Sequence, residues 1–173
     1  VFVSERIKGS SLAAWLSARG AMSHDAVNEV VQQVASALQS AHDQGVFHRD
    51  LKPSNIMLST PERGLDARII DFGIAKVDTE GGFAQGSQGG LNALTLERQE
   101  LGTPYYMAPE QLNFGVIDGR TDQHALAICV YQMLAGRIPY DPGMTVNELC
   151  REKLHGEQRP LSVFGVQTSA EVQ

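Results

Sequence analysis

His48-Arg49-Asp50-Leu51-Lys52-Pro53-Ser54-Asn55 sets a carboxylate, an ammonium two residues on and a carboxamide five residues on within one short stretch between apolar runs. An Asp in the first of these places can orient a hydroxyl and accept its proton, a Lys can offset phosphate charge, and an Asn can bind Mg2+. Together they suit phosphoryl transfer. Asp71-Phe72-Gly73 follows sixteen residues after Asn55 and offers a second carboxylate, ahead of a flexible glycine, for Mg2+ that bridges nucleotide phosphates. Either stretch alone is weak evidence, because short motifs arise by chance. Their order and spacing carry the weight.

On the N-terminal side, Val1 to Val3 read as a short strand. Ser10 and Ser11 offer an N-cap ahead of Leu12, Trp15 and Leu16 at helical spacing, with Gly20 as C-terminal cap. Ser23 begins a longer helix in which Val27, Val30, Val31, Val34, Leu38 and Ala41 share one face, and Gly45 is the expected stop. Val46-Phe47, Ile56-Met57-Leu58 and Arg68-Ile69-Ile70 are short apolar runs that suit small paired strands. Glycine and polar residues dominate from Val77 to Glu100, so a mobile loop is expected over 77–100. The nearly continuous apolar stretch from about Asp122 to Ala135 predicts a buried helix ended by Gly136 and Pro139, followed by a shorter helix near Val146 to Leu154. The fold class expected is α+β and mainly helical, with short strands around the loop of residues 48–55.

Over 173 residues, 42% apolar and 20% charged composition fits one globular core. A net charge of −6 leaves no basic stripe for nucleic acid or anionic lipid. Cys129 and Cys150 lack metal-type spacing and disulfide density, which points to a reducing compartment. The run from Ala125 to Ala135 is too short to span a bilayer, so no membrane segment is expected within this chain and a cytoplasmic location is.

With these stretches in place, the sequence resembles the protein kinase family from Val1 to at least Pro142. Gly102-Thr103-Pro104 and Ala108-Pro109-Glu110 look like the end of the family's activation segment, and Asp122 resembles the Asp that braces the catalytic loop. Lys52 and the Gly-Thr-Pro-Tyr-Tyr stretch before Met107 are similar to the serine/threonine branch, while Ser54, Ile74-Ala75-Lys76 and Gln111-Leu112 are similar to bacterial members. The resemblance implies Asp50 as catalytic base, Lys52 as a contact to the transferred phosphate of ATP, and Asn55 and Asp71 as Mg2+ ligands. Glu5 and Ile7 fall where a hinge receives the adenine through backbone groups, with Ser4 gating the pocket behind. Thr103 is placed to hydrogen-bond near Asp50 and Lys52. Arg49 matches the arginine that pairs with an activation-loop phosphate, with Thr95 as the expected phosphosite. The bland alternative is that Arg49 is a surface cation and Thr95 an ordinary loop residue. His48, beside Val46 and Phe47, reads as a packed histidine rather than a catalytic one.

The implied partner is a protein with a Ser or Thr acceptor; the oligomeric state is not implied. No glycine-rich phosphate loop, strand lysine or helix glutamate precedes Val1, so residues 1–173 are expected to be the larger, C-terminal lobe of a longer protein, inactive in isolation. The competing expectation is a non-catalytic interaction module of kinase-like fold. His124, Ala125 and Ala127 depart from the family's usual residues, and Glu110 is expected to lack a partner.

Overall fold

The computed structural model describes residues 8–60, 64–72, 103–112, 115–156 and 159–166. The expected strand at Val1 to Val3, the hinge residues Ser4, Glu5 and Ile7, the 77–100 loop and Thr95 lie outside the described residues. Three short strands, β1 (Ser10–Ser11), β2 (Ile56–Ser59) and β3 (Asp66–Ile69), form an antiparallel sheet in that order. The helices are α1 (Leu12–Arg19), α2 (His24–His42), the single turn α3 (Pro109–Leu112), α4 (Gly119–Ala135) and α5 (Val146–His155).

Local chemistry sets the helix ends. Ser11 and Ser23 accept the backbone N–H groups of Ala14 and Ala26 at 3.2 and 3.3 Å, which caps α1 and α2. Thr145 and Glu148 form a reciprocal capping box at the start of α5. Gly136 ends α4 at φ +71°, a left-handed conformation that a Cβ would penalise. Two boundaries differ from expectation. α2 ends at His42, before Gly45, because a turn through Asp43 and Gln44 takes up the last carbonyls. α4 starts at Gly119, a turn earlier than Asp122, because the Asp118 carboxylate accepts from Arg120 N–H.

Val46–Phe47 is not a strand; this pair has no ladder partner among the described residues. Ser10–Ser11, expected only as caps, pair with Leu58 and Met57. Gly9 permits this approach, since a Cβ there would stand 2.1 Å from the Leu58 carbonyl oxygen.

The main core joins α1, α2, β2 and α4. Leu12, Val30, Val34, Ile56, Cys129 and Met133 are fully enclosed within it. Each such Val, Leu or Ile contributes about 1.5–3 kcal/mol of burial free energy. Trp15 packs at the rim, with the Arg19 guanidinium 5.5 Å from its ring centroid. The outer edge of β3 is held by α2: Gln33 donates to Leu65 O at 2.8 Å and accepts from Ala67 N at 2.9 Å, while Glu29 accepts from Leu65 N. A second cluster of Ile128, Tyr140 and Leu149 joins α4 to α5. Both cysteines are free thiols; burial raises the pKa of each, and Cys129 lies in the core. Among the described residues no helix is long and apolar enough to cross a membrane.

Candidate active site

The loop from Val46 to Asn55 crosses between α2 and β2 with almost no regular structure, so its shape depends on side chains. Asp122 supplies the largest share. Its carboxylate is fully buried and accepts from His48 N–H and Arg49 N–H, each at 2.8 Å, and it meets His42 Nε2 at 2.8 Å. With both oxygens engaged, the buried charge is compensated by fixed dipoles. Arg49 takes φ +64°, a conformation uncommon outside glycine that persists only where surrounding bonds impose it. The loop therefore turns sharply at Arg49 and presents Asp50.

His48 is packed, as expected, but in a loop. It is fully buried, its Nε2 lies 3.1 Å from Ile70 O, and its Nδ1 accepts from Asp50 N–H at 3.3 Å. A proton on Nε2 and a lone pair on Nδ1 satisfy both contacts. The imidazole thus couples the backbone at Asp50 to the chain just before Asp71, and its ring lies 4.9 Å from that of Phe72.

Asp50 and Lys52 come together, with Lys52 Nζ 3.4 Å from Asp50 Oδ2, both partly exposed. Pro53 opens a 3-10 turn, Pro53–Asn55, that buries Asn55. Asn55 Nδ2 donates to Asp50 O at 2.9 Å, which leaves its Oδ1 as the oxygen donor. Asn55 O accepts from Ile70 N–H at 2.9 Å, tying the Asn55 turn to the residue before Asp71. Asp71 is exposed and takes φ +55°, the second non-glycine residue of the left-handed type, so both strained residues flank the same site.

The arrangement gathers Asp50, Lys52 and Asn55 on one loop and Asp71 on the next. Thr103 opens a 3-10 turn, Thr103–Tyr105; its side chain, like Gly73 and Gly102, lies outside the described residues. Arg49 Nε is buried without a hydrogen-bond partner among the described residues. Asn55 and Asp71 offer hard oxygen donors of the kind Mg2+ takes. Among the described residues no group of three or more His, Cys, Asp or Glu could hold a metal by itself. Mg2+ is commonly held by one or two protein groups together with phosphate oxygens, so this donor set fits it.

Glu110 corrects an expectation: its Oε1 accepts from Thr121 Oγ1 at 2.6 Å, because the first turn of α4 places Thr121 beside α3. His124 is half-buried, and burial followed by the Lys153 charge lowers its pKa; Ala125 lies in the main core.

Sequence reasoning missed three supporting residues. His42 stands four residues after Leu38 on the apolar face of α2, a position that signals its inward direction. Gln111 donates to Arg49 O at 2.8 Å, and Lys153 donates to two carbonyls near the site; no local pattern marks either.

The profile described as protein kinase domain matches residues 1–168. Among curated proteins, the chain is 36% identical over 159 residues to serine/threonine-protein kinase pkn2 of Myxococcus xanthus, covering 92% of this chain and 18% of that protein. It is 36% identical over 169 residues to Pkn1 of the same organism, covering 97% and 23%. Human serine/threonine-protein kinase ULK1 is 36% identical over 144 residues, covering 80% of this chain and 12% of that protein. A crystal structure of Rad53 residues 1–466 with AMP-PNP superposes with a TM-score of 0.69 at 26% identity, covering 96% of this chain and 38% of that one. The chain belongs to the protein kinase family, on the serine/threonine side of it. It spans about a fifth of the length of the two Myxococcus relatives.

Proposed function

We propose that this chain forms the larger, helical lobe of a cytoplasmic serine/threonine protein kinase domain, which transfers the γ-phosphoryl of ATP to a Ser or Thr hydroxyl of a protein. One observation carries the reading: the fully buried Asp122 carboxylate holds the Arg49 turn so that Asp50, Lys52 and Asn55 share one loop, tied through Asn55 O and Ile70 N to the approach to Asp71.

In this reading Asp50 orients the acceptor hydroxyl and receives its proton, while Lys52 offsets charge on the transferred phosphoryl. Asn55 Oδ1 and the Asp71 carboxylate would hold Mg2+, which would supply positive charge to offset that of the nucleotide phosphates. Glu5 and Ile7 receive the adenine. AMP-PNP bound to Rad53, whose chain is similar over this region, supports the choice of nucleotide. Arg49 Nε, buried without a hydrogen-bond partner among the described residues, supports a regulatory role for Arg49 toward a phosphate on the 77–100 segment, with Thr95 as the candidate and Thr103 assigned a place near Asp50 and Lys52.

The test uses the full-length protein with Mg2+-ATP and a generic basic protein as acceptor. Transfer is expected, Asp71→Ala abolishes it, and Asp50→Ala lowers turnover at least about a hundredfold. Unchanged turnover in Asp50→Ala sinks the assignment. Absence of transfer by the wild type points to a binding module instead.

A further inference from the structure

Lys153, on α5, is 8% exposed. Its Nζ donates to Tyr105 O at 2.8 Å and Met107 O at 2.6 Å, and it lies 4.7 Å from the Tyr140 ring centroid. It forms no ion pair with a carboxylate among the described residues. The other titratable groups acting on it are Cys150 on its own helix and His124 on α4. Burial holds its pKa down to about 7, with Cys150 opposing.

Burying an ammonium without a counter-ion is costly, and an apolar side chain of similar volume usually fills such a place at less cost. What the ammonium adds is a grip on two carbonyls of an irregular segment. That segment, 105–108, runs from the Thr103–Tyr105 turn to α3. At its far end Ala108 N–H donates to Gln111 Oε1 at 2.9 Å, and Gln111 Nε2 donates to Arg49 O at 2.8 Å. Midway, Tyr106 OH donates to Gln132 Oε1 at 2.6 Å. Asp50, Leu51, Tyr106 and Met107 line one small cavity, so the segment lies against the catalytic loop beside Asp50. α5 packs on the Thr103–Tyr105 turn and on α3, whereas Asn55 and Asp71 lie at the ends of the β2 and β3 strands.

We propose that Lys153 is a positioning residue for the acceptor protein: from α5 it fixes the backbone of Tyr105–Met107 as the wall beside Asp50 against which the acceptor chain lies. The inference rests on the phosphoryl-transfer reading above. A chain bringing its hydroxyl to Asp50 passes this wall, while the nucleotide is held from the Asn55 and Asp71 side. Lys153 therefore acts on acceptor binding and leaves nucleotide binding unchanged.

The experiment compares wild type, Lys153→Met and Lys153→Arg in the full-length protein, with phosphate transfer to the basic acceptor measured at varied acceptor and varied Mg2+-ATP. Lys153→Met is expected to raise the acceptor KM about tenfold and to leave the ATP KM within about twofold. Lys153→Arg keeps the donors but enlarges the head group, and is expected to raise the acceptor KM about threefold. Amide hydrogen exchange should quicken at residues 105–108 in Lys153→Met and stay unchanged in α2. An unchanged acceptor KM, or an equal rise in both KM values, overturns the proposal. If Lys153→Met does not fold, the acceptor KM of Lys153→Arg decides. If the wild type transfers no phosphate, the kinase reading fails separately, and exchange at 105–108 still decides whether Lys153 holds the wall.

Discussion

Asp122 and Lys153 are both buried charges that organise a stretch of chain lacking regular structure, and they do it with opposite signs. The carboxylate gathers two backbone N–H groups and a histidine ring at the Arg49 turn, and its oxygens are fully used. The ammonium gathers the Tyr105 and Met107 carbonyls and the face of Tyr140, with no carboxylate paired to it among the described residues. An anion surrounded by donors resembles an oxyanion site and stabilises its loop strongly. A cation facing carbonyls and a ring recovers less of its lost hydration, so burial depresses its pKa. The difference is one of stiffness: a rigid brace at the Arg49 turn, and a softer hold on the 105–107 segment.

The widest test of that contrast is Asp122→Ala, which strands two backbone donors in the interior and leaves the left-handed Arg49 unsupported. A stability loss of about 3–5 kcal/mol is expected, read as a lower urea midpoint at unchanged m-value. A loss below about 1 kcal/mol would remove the brace from the comparison.

Lys153→Met sharpens the other side through pH. In the unfolded chain Lys153 keeps its proton to about 10.5, whereas the folded protein releases it at about 7. Between these values the unfolded state binds more protons, so wild-type stability rises with pH, by at most about 1.4 kcal/mol per pH unit. Below pH 7 the penalty is present in full. Thermal melts from pH 6.5 to 10 should show wild type gaining on Lys153→Met; parallel curves would mean that the ammonium is not penalised by burial.

Thr121→Val is the smallest expected change. It removes the hydroxyl donor 2.6 Å from Glu110 and should cost about 1–2 kcal/mol in denaturant unfolding. No change would show that Glu110 is satisfied elsewhere.

Much of this could be read in the sequence where the signal is local. Ser11, Ser23 and Gly136 mark helix ends because capping is decided within a turn of chain. Asp50, Lys52 and Asn55 come together because one short loop carries all three. The failures are tertiary. Val46–Phe47 has strand-like residues but, among the described residues, no neighbouring strand to complete a ladder. Glu110 finds Thr121 only because α4 begins a turn early, on the Asp118 cap. Lys153 looks like any helical lysine; its role depends on carbonyls more than 40 residues away, which no window of sequence contains.

The Gln33 amide has a consequence for how the protein behaves toward its own copies. By receiving Ala67 N–H and donating to Leu65 O, it occupies the hydrogen-bonding positions that an incoming strand would use at the rim of the sheet. An open rim is a template for edge-to-edge aggregation. Here the Gln33 and Glu29 side chains take the place of a neighbouring strand along residues 65–67, and the β3 rim is closed from within the fold.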